Sequence, residues 1–194
     1  KGLRHVIYAQ NGYVVPNTSH KNFDDETLAK LNAFQATHTH TAIFCGNGYP
    51  WHGFSRISAI LEAHPHIGLL VVGPYTHVNN EHIFQLPFCN TEQLGYLIER
   101  CDFAISTFHW ELLNIHEGSP LKSRQYLCHG CPILTHYYDC AADFDALKPF
   151  VVDYRKTPET CIQDICSLDY DKETLKSTAR DVLSWDRYFD RVFE

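Results

Sequence analysis

Ile67-Gly-Leu-Leu-Val-Val72 is six residues without a polar side chain, closed by Gly73-Pro74. A run this short is too brief for a marginal helix, and a continuously apolar strand is stable only when both of its faces are covered. It predicts an interior strand of a parallel sheet. Segments of the same kind recur along the chain. Thr41-Ala-Ile-Phe-Cys45 stops at Gly46-Asn47-Gly48, and Phe103-Ala-Ile-Ser106, Pro132-Ile-Leu-Thr135 and Phe150-Val-Val152 follow. His82 to Leu86 reads as a shorter strand, and His5 to Ala9 as a first strand or linker ending at Asn11-Gly12.

Between these runs the apolar residues change to helical spacing. Asp24 to Gln35 carries Leu28, Leu31 and Phe34 behind an acidic first turn, and Phe54 to His64 carries Ile57, Ile60 and Leu61. Thr91 to Cys101, capped by Thr91, places Leu94, Leu97 and Ile98 inward. Pro120 to Cys128, Pro158 to Cys166 and Lys172 to Val192 complete the helices. Strands alternating with helices predict one doubly wound α/β domain, without repeat or internal linker.

Composition removes several classes of function. A net charge of −7 lacks the excess of cations that a general nucleic-acid binder requires. No stretch approaches the ~20 apolar residues needed to span a bilayer. The eight cysteines are scattered beside apolar residues, which fits buried thiols in a cytoplasmic protein better than a disulfide framework. Methionine is absent, so the chain reads as part of a longer protein.

In doubly wound sheets the ligand lies beyond the carboxyl ends of the strands, which selects the loops 46–53, 73–80 and 108–119. The last feeds the segment of most chemical interest. Ser119 suits an N-cap and Pro120 the first helical position. Lys122 and Arg124 then fall where the helix dipole disfavours cations by about 0.3–1 kcal/mol, with no acid in that turn to offset them. Such a placement suits a bound anion, with the amides of Ser119, Leu121 and Lys122 as further donors. The alternative is that both cations face solvent or that Glu117 neutralises them. Glu117 and Gln125 lie eight residues apart, about 12 Å of helix rise, and could hold two ends of a ligand.

Cys128-His-Gly-Cys131 offers a competing zinc or thiol reading. The pair follows a helix C-terminus, however, where the dipole raises a thiol pKa, and no second CxxC completes a zinc set. Gly130 instead suits a helix stop and Pro132 the entry to the next strand.

The stretch Glu117-Gly-Ser-Pro-Leu-Lys-Ser-Arg-Gln-Tyr-Leu-Cys-His-Gly-Cys-Pro-Ile133 resembles the donor-site signature of GT-B glycosyltransferases of the retaining glycogen-synthase-like superfamily. Further matches follow in order. Gly46-Asn-Gly-Tyr-Pro-Trp-His-Gly-Phe-Ser-Arg56 resembles the glycine loop and the element opening the next helix; Val71-Val-Gly-Pro74 resembles the third-strand loop. Cys101-Asp-Phe-Ala-Ile-Ser106 and Ser184-Trp185 resemble a later strand and the terminal helix, and Val6-Ile-Tyr-Ala-Gln-Asn-Gly12 the inter-domain strand. The resemblance covers nearly the whole chain. It implies a Rossmann-like sheet forming the C-terminal, nucleotide-sugar-binding half of a GT-B fold over residues 1–194. Residues 1–40 would be the inter-domain strand and leading helix, and 170–194 the terminal helix. The acceptor-binding N-terminal domain would lie outside this chain.

The resemblance also implies roles. Glu117 would be the catalytic residue, touching hydroxyls of the donor sugar. Ser119 and Leu121 amides would face the diphosphate, and Gln125 the ribose. Gly46 and Gly48 would let the backbone approach phosphates or acceptor, Gly73 would form the third-strand loop, and Leu86-Pro87-Phe88 would lie near the nucleobase. Gln125 stands where the family has a second Glu, Pro120 removes one amide, and His52 replaces a Lys. Positive charge would then come from Lys122, Arg56 or a protonated His52. The implied function is hexosyl transfer from a nucleoside-diphosphate sugar to an acceptor hydroxyl, without a metal or other cofactor. The pathway would be bacterial polysaccharide or glycoconjugate synthesis, and the isolated domain would be inactive. The missing half would carry the acceptor, a glycan or lipid-linked molecule, and any attachment to the inner face of a membrane. A second reading keeps the fold but not turnover: a non-catalytic module that binds a nucleotide or a partner.

Overall fold

The computed structural model describes residues 23–75 and 80–185. The strand expected at 5–9, the Asn11-Gly12 turn and any helix beyond Trp185 fall outside them. Among these residues lie eight strands: β1 (His40–Cys45), β2 (Ile67–Val72), β3 (Ile83–Leu86), β4 (Phe103–Ile105), β5 (Glu117–Gly118), β6 (Ile133–Thr135), β7 (Tyr138–Asp139) and β8 (Val151–Asp153). The helices are α1 (Asp25–Ala36), α2 (Phe54–Glu62), α3 (Thr91–Glu99), α4 (Leu121–Cys128), α5 (Cys161–Cys166) and α6 (Lys172–Leu183).

Six strands form one parallel sheet in the order β3-β2-β1-β4-β6-β8. With β5 and β7 set aside, which pair only with each other, this is the doubly wound order with its switch point between β1 and β4. The period of two in each strand sends alternate side chains to opposite cores. Ile43 and Leu70 meet Leu31, Leu97, Tyr126 and Leu175 on the face of α1, α3, α4 and α6. Phe44, Leu69 and Val71 meet Ile57, Leu61, Ile162 and Ile165 on the face of α2 and α5. Both faces are covered, as the unbroken apolar run of β2 requires.

The strand and helix expectations hold to within a residue or two at most ends; β5 and β7 are not among them, Pro120 rather than Ser119 caps α4, and three further ends differ. Asn90, not Thr91, caps α3: its side chain accepts from the Gln93 amide at 2.8 Å while the Gln93 side chain accepts from the Asn90 amide at 3.1 Å. That reciprocal box needs Gln at the third helical position, which fixes the cap one residue earlier. α5 starts at Cys161 because a turn carries 157–160. α6 stops at Leu183, where Ser184 turns extended with ψ 152°.

Cys128-His-Gly-Cys131 is a helix stop. Gly130 takes φ 73°, its amide donates to the Leu127 carbonyl at 2.9 Å, and the Cys131 amide donates to the Tyr126 carbonyl at 3.0 Å. These two bonds define a Schellman end. Both thiols are buried, and burial pushes each up to about 12. The eight cysteines form no disulfide. Among the described residues no three His, Cys, Asp or Glu side chains gather as metal ligands, and no helix is long and apolar enough to cross a membrane.

Glu99 ties three helices together. Its carboxylate meets His129 Nδ1 at 3.1 Å and Lys176 Nζ at 2.8 Å, joining α3, the end of α4 and α6. The His129 bond first, then Lys176, hold this carboxyl down to about 2. Because the folded pKa is depressed, the stability is fully present above the ordinary value of 4.5 and is lost as pH falls toward 2. Urea midpoints of wild type and Glu99→Gln should therefore differ most at pH 5.5 and converge near pH 2. A constant difference across that range would show that the carboxylate contributes nothing through its charge.

Candidate functional site

Two glycines close the carboxyl ends of β1 and β2. The Gly46 amide donates to the Val72 carbonyl at 3.1 Å. A Cβ on Gly46 would lie 2.1 Å from Tyr75 Oη and 2.4 Å from His52 Nδ1. Gly73, at φ 129°, would place a Cβ 1.9 Å from the Gly46 carbonyl oxygen. Larger residues fit at neither position, so the glycine loop is a packing requirement whatever ligand it meets.

His52 ends the 3₁₀ turn Pro50–His52, and Gly53 in the left-handed region starts α2. Phe108 and His109 amides donate to the His52 and Trp51 carbonyls at 3.1 and 3.2 Å, which docks this turn on the loop after β4. The His52 ring meets Tyr75 Oη at 3.1 Å. Burial, helped by the nearby Lys122, lowers His52 to about 4. The ring is therefore neutral near pH 7 and carries no charge for an anion.

At the mouth of α4 the cap is Pro120, whose carbonyl accepts from the Ser123 and Arg124 amides at 3.1 and 3.4 Å. Ser119 does not cap. Its hydroxyl is buried and accepts from Arg124 Nε and Nη2 at 2.8 and 2.5 Å. Arg124 also pairs with Asp139 at 2.9 Å, the two side chains 1% and 0% exposed. The expectation that Arg124 faces an anion or solvent is thus corrected, because its guanidinium is consumed inside the protein. Asp139 in turn accepts from Tyr137 Oη at 2.8 Å, and Tyr137 Oη meets Ser106 and Ser123 hydroxyls, each at 2.8 Å. This buried network holds β5 against β7, with Glu117 opposite Tyr138 and Gly118 opposite Asp139. Glu117 is displayed on the exposed side of that pair.

Lys122 goes the other way. Its Nζ donates to the Cys45 carbonyl at 3.2 Å and sits 5.3 Å above the Phe44 ring. Four residues on, Tyr126 Oη accepts from the Cys45 amide at 3.0 Å. α4 thereby grips the end of β1, beside the sheet's switch point, with half-buried Gln125 on the same helix. Burial lowers the Lys122 amine to about 8. The amides of Leu121 and Lys122 donate to no protein acceptor among the described residues, as expected of a helix mouth. Leu121 itself projects an exposed side chain.

Gly46, His52, Gly73 and Lys122 thus meet at one place. Arg56 does not join them: it donates to the Phe108 carbonyl at 3.3 Å and pairs with Glu111 on the α2 side of the sheet. Leu86 buries its side chain in the core, and only its carbonyl serves the loop, accepting from the Gly73 amide at 3.1 Å. Phe88, two residues on, is 67% exposed. Gly48 is exposed in the turn that follows Gly46, at φ 80°. Sequence reasoning missed Tyr75, Tyr126, Tyr137 and Asp139. Tyr126 lay in plain view, four residues after Lys122 and so on the same helix face. Asp139 carries no local signal, because its partner lies across the fold.

No protein-family model matches this sequence, and no curated protein matches it. Solved structures do. Trehalose-6-phosphate synthase OtsA is 12% identical, with a TM-score of 0.58 over 98% of this chain and 48% of its own. AviGT4, a glycosyltransferase involved in avilamycin A biosynthesis, is 15% identical at TM-score 0.58 over 84% and 52%. Anabaena Alr3699/HepE, solved in complex with UDP and glucose, is 13% identical at TM-score 0.56 over 88% and 52%. The chain has the Rossmann-like fold of the C-terminal half of a GT-B glycosyltransferase. It spans about half the length of the solved structures it matches.

The buried pair generates a prediction. Removing one partner leaves the other charge uncompensated, so Arg124→Met should cost about 3–5 kcal/mol in urea unfolding. Tyr137→Phe should cost about 1–3 kcal/mol, by leaving Asp139 short of one donor. A loss below about 1 kcal/mol for Arg124→Met would mean that Asp139 finds water instead.

Proposed function

We propose that this chain holds the diphosphate of a nucleoside-diphosphate sugar at the mouth of α4 and presents the sugar for transfer to an acceptor hydroxyl. The observation that carries this is Lys122, a half-buried side chain whose desolvated amine donates to the Cys45 carbonyl where β1 ends, beside two helix amides that donate to no protein acceptor among the described residues. Of the four cations that the sequence pointed to, His52 is neutral, Arg56 is paired with Glu111 and Arg124 with Asp139. Lys122 is left to meet an anion.

In this reading the departing diphosphate is stabilised by Lys122 and the Leu121 and Lys122 amides, fixed in place before reaction so that little reorganisation is needed. Glu117 contacts donor-sugar hydroxyls from its exposed strand, and Gln125, one helical turn beyond Leu121, reaches the ribose. The backbone of the turn from Gly46 to Gly48 approaches the phosphates, and the exposed Pro87-Phe88 edge lies near the base. Structures of half-matching proteins with UDP and glucose support the ligand class. The acceptor belongs to a second domain, so the isolated chain is expected to be inactive. Hexosyl transfer in bacterial polysaccharide or glycoconjugate synthesis, in the cytoplasm or at the inner face of its membrane, is the setting we propose, and the chemistry assigned here needs no metal. A non-catalytic nucleotide binder is the second reading, favoured because only one of the four cations the sequence pointed to is available among the described residues. Turnover by a protein that carries the acceptor half separates the two.

Isothermal titration with UDP, GDP and ADP tests the site. At least one should bind, and Lys122→Met should weaken it tenfold or more while Cys128→Ser with Cys131→Ser leaves it unchanged. No binding by any of the three would sink the proposal.

The pH dependence has a definite sign. Burial has lowered the amine, so in the absence of ligand it loses its proton as pH rises through about 8. A bound diphosphate favours the ammonium, and affinity should fall between pH 7.5 and 9.5. Near pH 8.5 binding should take up protons, read as a dependence of the observed enthalpy on buffer ionisation. Proton release would contradict the assignment.

A further inference from the structure

The turn that follows the glycine loop walls a second concavity on the opposite side of the sheet from α4. It measures about 460 Å³ and lies between Gly48–Pro50, one side of α2 from Phe54 to Glu62, and Pro74-Tyr75. That is an ordinary size for a small-molecule site. One wall is aromatic. The Tyr49 ring is 48% exposed yet held in place, stacked on Trp51 at 4.3 Å and 16°. Phe54 packs on Phe44 and Tyr75, with centroids 5.9 and 4.7 Å away, and forms the floor with Tyr75. The other wall is polar. Ser55, Ser58 and Glu62 stand at i, i+3 and i+7 on α2, a row about 10 Å long by helix rise. None of these three side chains has a hydrogen-bond or ionic partner among the described residues.

We propose that this groove binds a neutral saccharide of two or more sugar rings, independently of the nucleotide. A fixed aromatic ring offers a flat apolar surface to the C–H face of a sugar at little entropic cost. A facing row of two hydroxyls and a carboxylate supplies acceptors and donors for the ring hydroxyls, and the carboxylate bonds are the stronger ones. Glu62 and the net charge of −7 oppose an acidic glycan. An organic cation would need several exposed ring faces around it, and here Tyr49 presents its ring while Tyr75 is buried. The groove and the α4 mouth share the loops 46–50 and 73–75, but Ser55, Ser58 and Glu62 belong to the groove alone and Lys122 to the α4 mouth alone, so each can be disabled separately.

The test is titration of the 194-residue chain, without nucleotide, with maltose, maltotetraose, cellobiose, cellotetraose and di-N-acetylchitobiose, and with tetramethylammonium chloride as the cation control. At least one saccharide should bind and tetramethylammonium should not. Tyr49→Ala and Glu62→Gln should each weaken saccharide binding fivefold or more at unchanged urea midpoints, and Ser58→Arg should block it by filling the groove. Lys122→Met should leave it untouched, which separates failure of this site from failure of the diphosphate site. No binding by any of the saccharides, saccharide binding that survives Tyr49→Ala and Ser58→Arg, or tetramethylammonium bound in their place would each overturn the proposal.

Discussion

The buried pairing of Arg124 with Asp139 decides how the rest of the candidate site is arranged. Two opposite charges almost wholly removed from water are tolerable only when their geometry is good and further hydrogen bonds support them. Here Arg124 also donates to Ser119, while Asp139 accepts from Tyr137 and from the Ala141 amide. Those bonds pin β5 to β7, seat Ser119 inside the fold, and hold the approach to α4 in one conformation. Glu117 and the helix mouth owe their positions to a charge that never reaches the ligand.

A second constraint acts at the end of β1. Gly46 and Gly73 touch through their backbones, and Tyr75 with His52 fills the space above Gly46. Lys122 and Tyr126 close the same point from α4 through the Cys45 carbonyl and amide. The amine is desolvated by this packing, which costs stability at neutral pH, where it carries charge without a full counter-ion. An anion at the helix mouth would remove that cost. This is the physical reason to read the site as built for a ligand rather than as a satisfied core.

Most of the fold was legible because its signals are local. The six-residue run of β2 required cover on both faces, and the helical spacings of α1, α2 and α3 named the residues that supply it. The helix stop at Gly130 was equally readable, since a glycine before a Cys-Pro strand entry leaves few alternatives. What failed was cap and charge assignment. Ser119 and Arg124 read as cap and exposed cation because their i, i+5 contact and the Asp139 partner depend on β7, a two-residue strand with no periodicity to reveal it. Asn90 was missed for a different reason, since Thr91 is itself a good cap and only Gln93 discriminates. His52 read as a source of charge because sequence does not report the burial that keeps it neutral.

The central claim is that a diphosphate binds where α4 meets the end of β1. Amide-resolved NMR during titration with UDP tests it most directly, because it reports where the ligand sits and not only that it binds. The account predicts the largest shifts at Gly46, Leu121, Lys122 and Ser123, with Val151 to Asp153 on the far edge strand unmoved. Saturating shifts confined to other residues, with the first turn of α4 silent, would contradict it.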